Sequence, residues 1–311
     1  MEFGIHLPQI GPSASPSGVI AFAQRAEQLG FDSVWVSDHI VFPSAVAQVF
    51  GGSLLDPITT LAFVAPMTRR VKLGTSVLIV PYRDPLVLAK MLSSLDVLSG
   101  GRVIAGVGSG WLEGEFEALA LRFADRGKQT DEYLAILSKA WSDASPTVEH
   151  RGAYRTITDV VLAPRPLQSQ VPIWVGGNSP AGIARAARFG QAWHPVRVTP
   201  DEVAAGKARL EGAANAQGRK AGEIAISARV PLWFSDDPTG TTGKSPLIGT
   251  ADELVAVLRR YGDAGAGHVV VDFFLGIHHE PAVAADPQHF IAAMERFARE
   301  VMPRVSQALP A

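Results

Sequence analysis

"AEQLGFDSVWVSDH", residues 26–39, contains a complete structural transition. Apolar residues at helical spacing run up to Leu29, and Gly30 follows where a helix would close with a C′ glycine. Residues 33–37 then read as a short, β-branched strand, which delivers Asp38 and His39 with no polar lead-in. Helix, glycine, strand and polar end form one unit, and the chain repeats it. "AARFGQA", at 186–192, makes the same turn again.

Short β-rich runs occur at 3–8, 33–37, 71–80, 102–108, 172–177, 191–196, 225–234 and 268–274. Stretches with apolar spacing of three and four alternate with them, at 17–30, 56–67, 84–98, 129–143, 179–190, 200–217, 250–265 and 287–301. Eight alternating units in 311 residues predict a parallel sheet covered by helices, closed as a (β/α)8 TIM barrel in preference to an open doubly wound sheet. Two stretches, 144–171 and 235–249, exceed ordinary loop length and read as insertions, the second as a lid. Neither a linker nor an internal repeat is visible, so residues 1–311 are expected to form a single domain.

Composition narrows the function. With 47% hydrophobic and 19% charged residues the chain can bury a sizeable core, and its formal charge of −2 offers no field for a nucleic acid. Small-molecule partners are favoured. The chain has no cysteine, which excludes disulfides, thiolate metal sites and a cysteine nucleophile, so redox work would need a borrowed cofactor. The N-terminus lacks the basic, then apolar, pattern of a signal peptide, and no run reaches the roughly 18 apolar residues of a membrane span. A cytoplasmic location is the expectation.

Barrel enzymes carry their chemistry on residues that follow the strands. Asp38 and His39 stand there after the second strand, a carboxylate and an imidazole suited to proton work or to capping a loop. The fifth strand runs through "WVGGNSPAGIARAARFG", where Gly176, Gly177 and Asn178 lead into a helix with Ser179 or Asn178 as its N-cap. Such a turn can cradle a phosphate or simply make a tight connection. After the fourth strand, "GVGSGWLEGEF" places Gly106, Gly108 and Gly110 before Trp111, backbone able to lie flat against a ligand. The spacing does not match a dinucleotide fingerprint, which needs a third glycine where Trp111 stands. His194, Arg197, His278 and His279 are further top-face candidates.

Together these motifs resemble the luciferase-like monooxygenase superfamily, within it the branch that uses the deazaflavin coenzyme F420. "GIHLPQ", "AEQLGFDSVWVSDH", "LGTSVLIVPYRDPLVLAKMLSSLDVLSGGRVIAGVGSGWLEGEFEALAL", "RGKQTDEYLAILSKAW", "PIWVGGNSPAGIARAARFGQAWHPV" and "IGTADELVAVLRRYGDAGAGHVVVDFF" carry the resemblance in order along nearly the whole chain. It implies a flavin-type ring at the barrel mouth, its phosphate against Gly176, Gly177 and Asn178, and a cis peptide between Ser76 and Val77. It also implies Asp38 as a hydrogen-bonding partner beside the ring and His39 as proton donor or acceptor. Trp111 departs from the acidic residue that sugar-phosphate dehydrogenases of the superfamily carry there. A flat or apolar substrate is expected in its place, with Trp111, His194 and His278 at the substrate pocket.

The leading expectation is a deazaflavin-dependent oxidoreductase that moves a hydride to or from a small organic substrate. A monooxygenase using reduced flavin mononucleotide (FMN) and dioxygen is the alternative on the same barrel. Lys244 and Arg197 are candidates for the coenzyme's anionic tail, and relatives suggest a homodimer. A metal-dependent hydrolase built on His6, Asp38, His39, His194 and Asp272 is less well supported, because His6 stands alone where such enzymes pair histidines. No metal is expected. A relative that binds cofactor without turnover is a third class, opposed by the presence of both Asp38 and His39.

Overall fold

A computed structural model describes residues 1–50, 52–142, 145–237, 245–274 and 287–306. Twelve strands are present among them: β1 (Glu2–His6), β2 (Ser33–Val36), β3 (Lys72–Thr75), β4 (Leu78–Ile79), β5 (Val103–Gly108), β6 (Val148–Arg151), β7 (Thr156–Val160), β8 (Ile173–Gly176), β9 (Ala192–His194), β10 (Ala225–Phe234), β11 (Leu247–Gly249) and β12 (His268–Asp272). All but β6 and β7 belong to one parallel sheet. β1 pairs with β2 on one side and β12 on the other, β12 pairs with β10, and β10 reaches β9 through Ala225 and Ala192. The ring therefore closes, and the helices form its outer layer. This is a (β/α)8 barrel with β3 and β4 sharing one stave.

Helix starts follow the expected chemistry. Ser15, Asp56 and Ser179 each accept a hydrogen bond from the N–H three residues on, with proline at the first helical position. Thr199 and Thr250 build capping boxes with Glu202 and Glu253.

The core has two parts. A large cluster fills the layer between staves and helices, whereas Trp35, Ile104 and Val270, with Trp174 against them, pack inside the cylinder. Trp35 fits because two staves give way: a Cβ at Gly74 would sit 2.4 Å from its ring, and one at Gly4 would meet its Nε1 at the same distance.

The structure refines the sequence reading in four places. The run 71–80 is two short strands, interrupted at Ser76–Val77, whose peptide is cis as the resemblance implies. The stretch 144–171 holds an antiparallel hairpin, β6 against β7. Within 235–249, β11 pairs in parallel with β10, so this stretch is partly sheet; 238–244, including Lys244, lies outside the described residues. Helices Ser44–Phe50 and Glu113–Ala118 escaped the reading because two turns or fewer show no periodicity.

Candidate active site

A cavity of about 430 Å³ opens at the carboxyl ends of the staves, the size of a small-molecule pocket. Its wall combines His6 and Gln9 after β1, Ser37 to His39 after β2, Ser76, Val77 and Ile79 at the stave break, and Trp111 after β5. Val196 and Arg197, Arg229 of β10 and Phe274 complete it, with Ile10 and Leu54 at the side. Parallel strands all end at the same face, which is why residues so distant in sequence meet here.

His39 stands on the wall with its side chain 15% exposed. Its Nδ1 lies 2.7 Å from Glu115 Oε2. Glu115, from the short helix Glu113–Ala118, is fully buried and also accepts from the Ile40 and Val41 amides, at 2.6 and 3.2 Å, and from the Tyr82 hydroxyl at 2.8 Å. Burial alone would raise its carboxyl; the hydrogen bonds and the charge of His39, helped by Tyr82 and Ile40, bring it below the ordinary carboxylate value. The same environment raises the Tyr82 hydroxyl, by burial first and by Glu115 second. A buried carboxylate thus holds one imidazole nitrogen and the two backbone amides that follow it. Nδ1–H donating to Glu115 leaves Nε2 as the free acceptor.

Asp38 plays a different part. Both its oxygens are engaged, by Arg83 at 2.6 and 3.0 Å and by the Ile79 amide at 2.9 Å, and Arg83 continues to Asp56 at 2.9 Å. Its carboxyl is raised, because burial outweighs Arg83. Asp38 borders the cavity but spends its lone pairs on fastening the second stave to the third.

The floor is a charged pair with a polar collar. Arg229 meets Asp272 through Nε at 2.8 Å and reaches Ser37 Oγ at 2.9 Å and the Ser76 carbonyl at 2.5 Å. Burial would raise Asp272, but the Arg229 charge pulls it down to about 2. His6 bridges Ser37 Oγ at 2.9 Å and the Leu7 carbonyl at 3.0 Å, and burial, then Arg229, lower it to about 4.

The expected residues divide. Asp38, His39, Ser76, Val77, Trp111 and Arg197 line the cavity. Gly106 and Gly108 do not: a Cβ on Gly106 would fall 1.7 Å from the Thr75 carbonyl oxygen and one on Gly108 2.7 Å from Val77, so these glycines let β5 press against the broken stave. Gly176 likewise is buried against Val77, whereas Gly177 and Asn178 are exposed at the start of helix Pro180–Phe189. The Asn178 amide clasps the Val196 backbone from both ends, at 2.8 and 3.2 Å. His194 lies one layer below the wall, 2% exposed, with Nε2 2.8 Å from Ser76 Oγ; burial, then Arg229, lower it to about 3. His278 and His279 fall outside the described residues. Sequence reasoning passed over Glu115, Tyr82, Arg83 and Arg229. Of these, only Arg229 left a clear signal, a single charge inside the apolar run "AISARVPLWF".

Among the described residues no group of three or more histidine, aspartate or glutamate side chains could hold a metal, and no helix is long and apolar enough to cross a membrane. Fold and cavity define a barrel protein with a cavity of small-molecule size at its carboxyl mouth. The chain belongs to the luciferase-like monooxygenase family, which it matches over residues 1–300. It is 31% identical over 261 residues to an F420-dependent glucose-6-phosphate dehydrogenase of Kineococcus radiotolerans, covering 78% of this chain and 73% of that one. The counterpart from Amycolatopsis mediterranei is 34% identical over 179 residues, 56% of this chain and 52% of the relative, so that match spans about half the relative's length. In fold, the chain is similar to an F420-dependent secondary alcohol dehydrogenase in complex with an F420-acetone adduct, with a TM-score of 0.80, 18% identity and coverage of 98% and 99%.

Proposed function

We propose that the chain is a deazaflavin F420-dependent oxidoreductase that exchanges a hydride, and with it a proton, with a small, flat or apolar organic substrate. One observation carries this reading: His39, on the cavity wall, has one nitrogen fixed by a buried carboxylate and the other free to face a ligand. The relatives named for F420 support the coenzyme.

The residues present fit such a group. Val77, Ile79, Leu54 and Phe274 provide the apolar wall a flat ring needs, and the exposed Gly177–Asn178 turn at a helix N-terminus suits a phosphate. When bound, the deazaflavin supplies a carbon centre that gives or takes a hydride. His39 Nε2 takes the proton from the substrate, or returns it in reverse, while Glu115 holds the ring in one tautomer and offsets the charge that develops. Asp38 and Arg83 keep the second and third staves in register around the ring site. Trp111, beside His39 with the rings edge to face at 5.9 Å, supplies an aromatic wall where a phosphorylated sugar would need a polar one.

Titration of the purified protein with F420 and with FMN tests this. Saturable F420 binding with weak FMN binding is expected. Tight FMN binding without F420 binding overturns the reading in favour of a flavin monooxygenase. Glucose 6-phosphate is expected to give no turnover.

A further inference from the structure

The barrel axis holds polar groups that the proposed mechanism leaves unused. Ser76 Oγ, on the cavity floor, lies 2.8 Å from His194 Nε2. His194 Nδ1 lies 2.8 Å from the Ser227 carbonyl and 3.0 Å from Ser227 Oγ, which in turn is 2.8 Å from His268 Nδ1. His268 Nε2 is 2.9 Å from Ser33 Oγ. None of the five residues is more than 6% exposed. His268 and Ser33 border a second cavity of about 220 Å³, lined also by Glu2, Asp32 and Lys72 from the amino ends of the staves. The file therefore runs the length of the cylinder, from one mouth to the other.

We propose that this file conducts protons between the floor of the active-site cavity and the cavity at the opposite mouth. Every member can both give and accept. Burial lowers His194 and His268 to about 3, so each ring is neutral at pH 7 and carries one N–H and one lone pair. The contacts also fix a direction. The Ser227 carbonyl can only accept, which puts the His194 proton on Nδ1 and leaves Nε2 to accept from the Ser76 hydroxyl. The Ser227 hydroxyl then donates to His268 Nδ1, and His268 Nε2–H donates to Ser33 Oγ, which also accepts from Trp35 Nε1 at 2.8 Å. Ser33 is left with its own hydrogen to give to the lower cavity. At rest the file points downward.

Passage of one proton breaks and forms one bond at each member. A proton arriving at Ser76 Oγ displaces the hydroxyl hydrogen onto His194 Nε2. Nδ1–H moves to Ser227 Oγ, the Ser227 hydrogen to His268 Nδ1, the Nε2 hydrogen to Ser33, and the Ser33 hydrogen leaves. No electrons change hands, and passage leaves each ring with its proton on the other nitrogen. A proton passing back up the file, with rotation of the hydroxyls, restores the resting arrangement, so the file carries a proton down in one direction of turnover and up in the other. A network that only satisfied buried polar groups would have no need to end at a cavity on both sides. The use of the proton rests on the oxidoreductase reading, in which substrate covers the upper mouth during turnover; the file itself does not.

The test uses full-length protein without cofactor, labelled with ¹⁵N-histidine, and follows exchange of the His194 ring proton with D2O. Ser76→Ala closes the upper route and Ser227→Ala the lower one. Each single variant is expected to exchange within about threefold of wild type, and the double variant at least tenfold more slowly, with the Trp193 backbone amide equally protected throughout. Ser76→Ala with His268→Phe isolates His194 from another position and serves if the first pair fails to fold. A double variant exchanging as fast as the singles overturns the file. Failure of F420 to bind would overturn the proposed function and leave this result standing.

Discussion

His39 and the axial histidines, His6, His194 and His268, occupy the same barrel within a few residues of strand ends, yet they are chemically opposite. His39 lies past the end of its stave, partly exposed, with a carboxylate on one nitrogen. The other three lie along the barrel axis, at most 5% exposed, and burial holds them between about 3 and 4. Position relative to the strand end decides which imidazole can carry a proton for a substrate and which is held as a neutral dipole. Residue type alone does not.

The largest effect expected from this contrast is acid lability. An imidazole whose folded value lies below its unfolded value of 6.5 binds fewer protons in the fold than in the open chain. Its contribution is fully present above pH 6.5 and is lost as pH falls toward 3 or 4. Each axial histidine contributes a slope of about 1.4 kcal/mol per pH unit in that window. Urea denaturation is therefore expected to show stability falling by several kcal/mol between pH 7 and pH 5, and His194→Phe to flatten the slope by about a third. Asp272 works in the same sense, but only below its unfolded value of 3.8, outside this window. A flat profile from pH 7 to 5 would erase the distinction between the two groups.

His39→Ala is next in size. Loss of a positioned acid-base group costs on the order of 10²- to 10⁴-fold in turnover. Cofactor affinity should stay within about twofold, because the apolar wall and the Gly177–Asn178 turn remain. Unchanged turnover would remove His39 from the chemistry. Glu115→Gln should cost less, about tenfold in kcat with KM nearly constant, as an amide can still accept from the backbone but no longer offsets charge on the imidazole. A large rise in KM with kcat unchanged would instead mean that Glu115 only shapes the loop.

The barrel was legible because its signal is repetition: eight strand and helix periods survive errors at individual ends, such as the short sixth stave, Ala192–His194. Asp38, His39 and Trp111 were legible on the cavity wall because they closely follow a strand. What stayed hidden depends on pairing across the fold. Gly106 and Gly176 resemble ligand-facing backbone in sequence, and only the third dimension shows that they make room for Thr75 and Val77. Glu115 sits in a six-residue helix 76 positions from His39, and nothing local distinguishes it from Glu113 or Glu117. His194 ends a strand, as His39 follows one, but its side chain turns down the axis.

Trp111 sharpens the contrast at its smallest scale. It is 58% exposed, an unusual setting for so large an apolar surface, and its ring meets His39 edge to face. If Trp111 forms the substrate-side wall, Trp111→Ala widens the cavity beside His39 without touching Glu115, so the imidazole keeps its orientation while the substrate loses an apolar partner. KM should rise about three- to tenfold, since burying part of an aromatic ring stabilises a complex by about 1 kcal/mol or somewhat more. The kcat should change less than in Glu115→Gln, and thermal stability little, because the side chain is largely in solvent already. The opposite pattern, constant KM with reduced kcat, would show that Trp111 acts on His39 rather than on the substrate, making the rim imidazole depend on its aromatic neighbour as well as on its carboxylate.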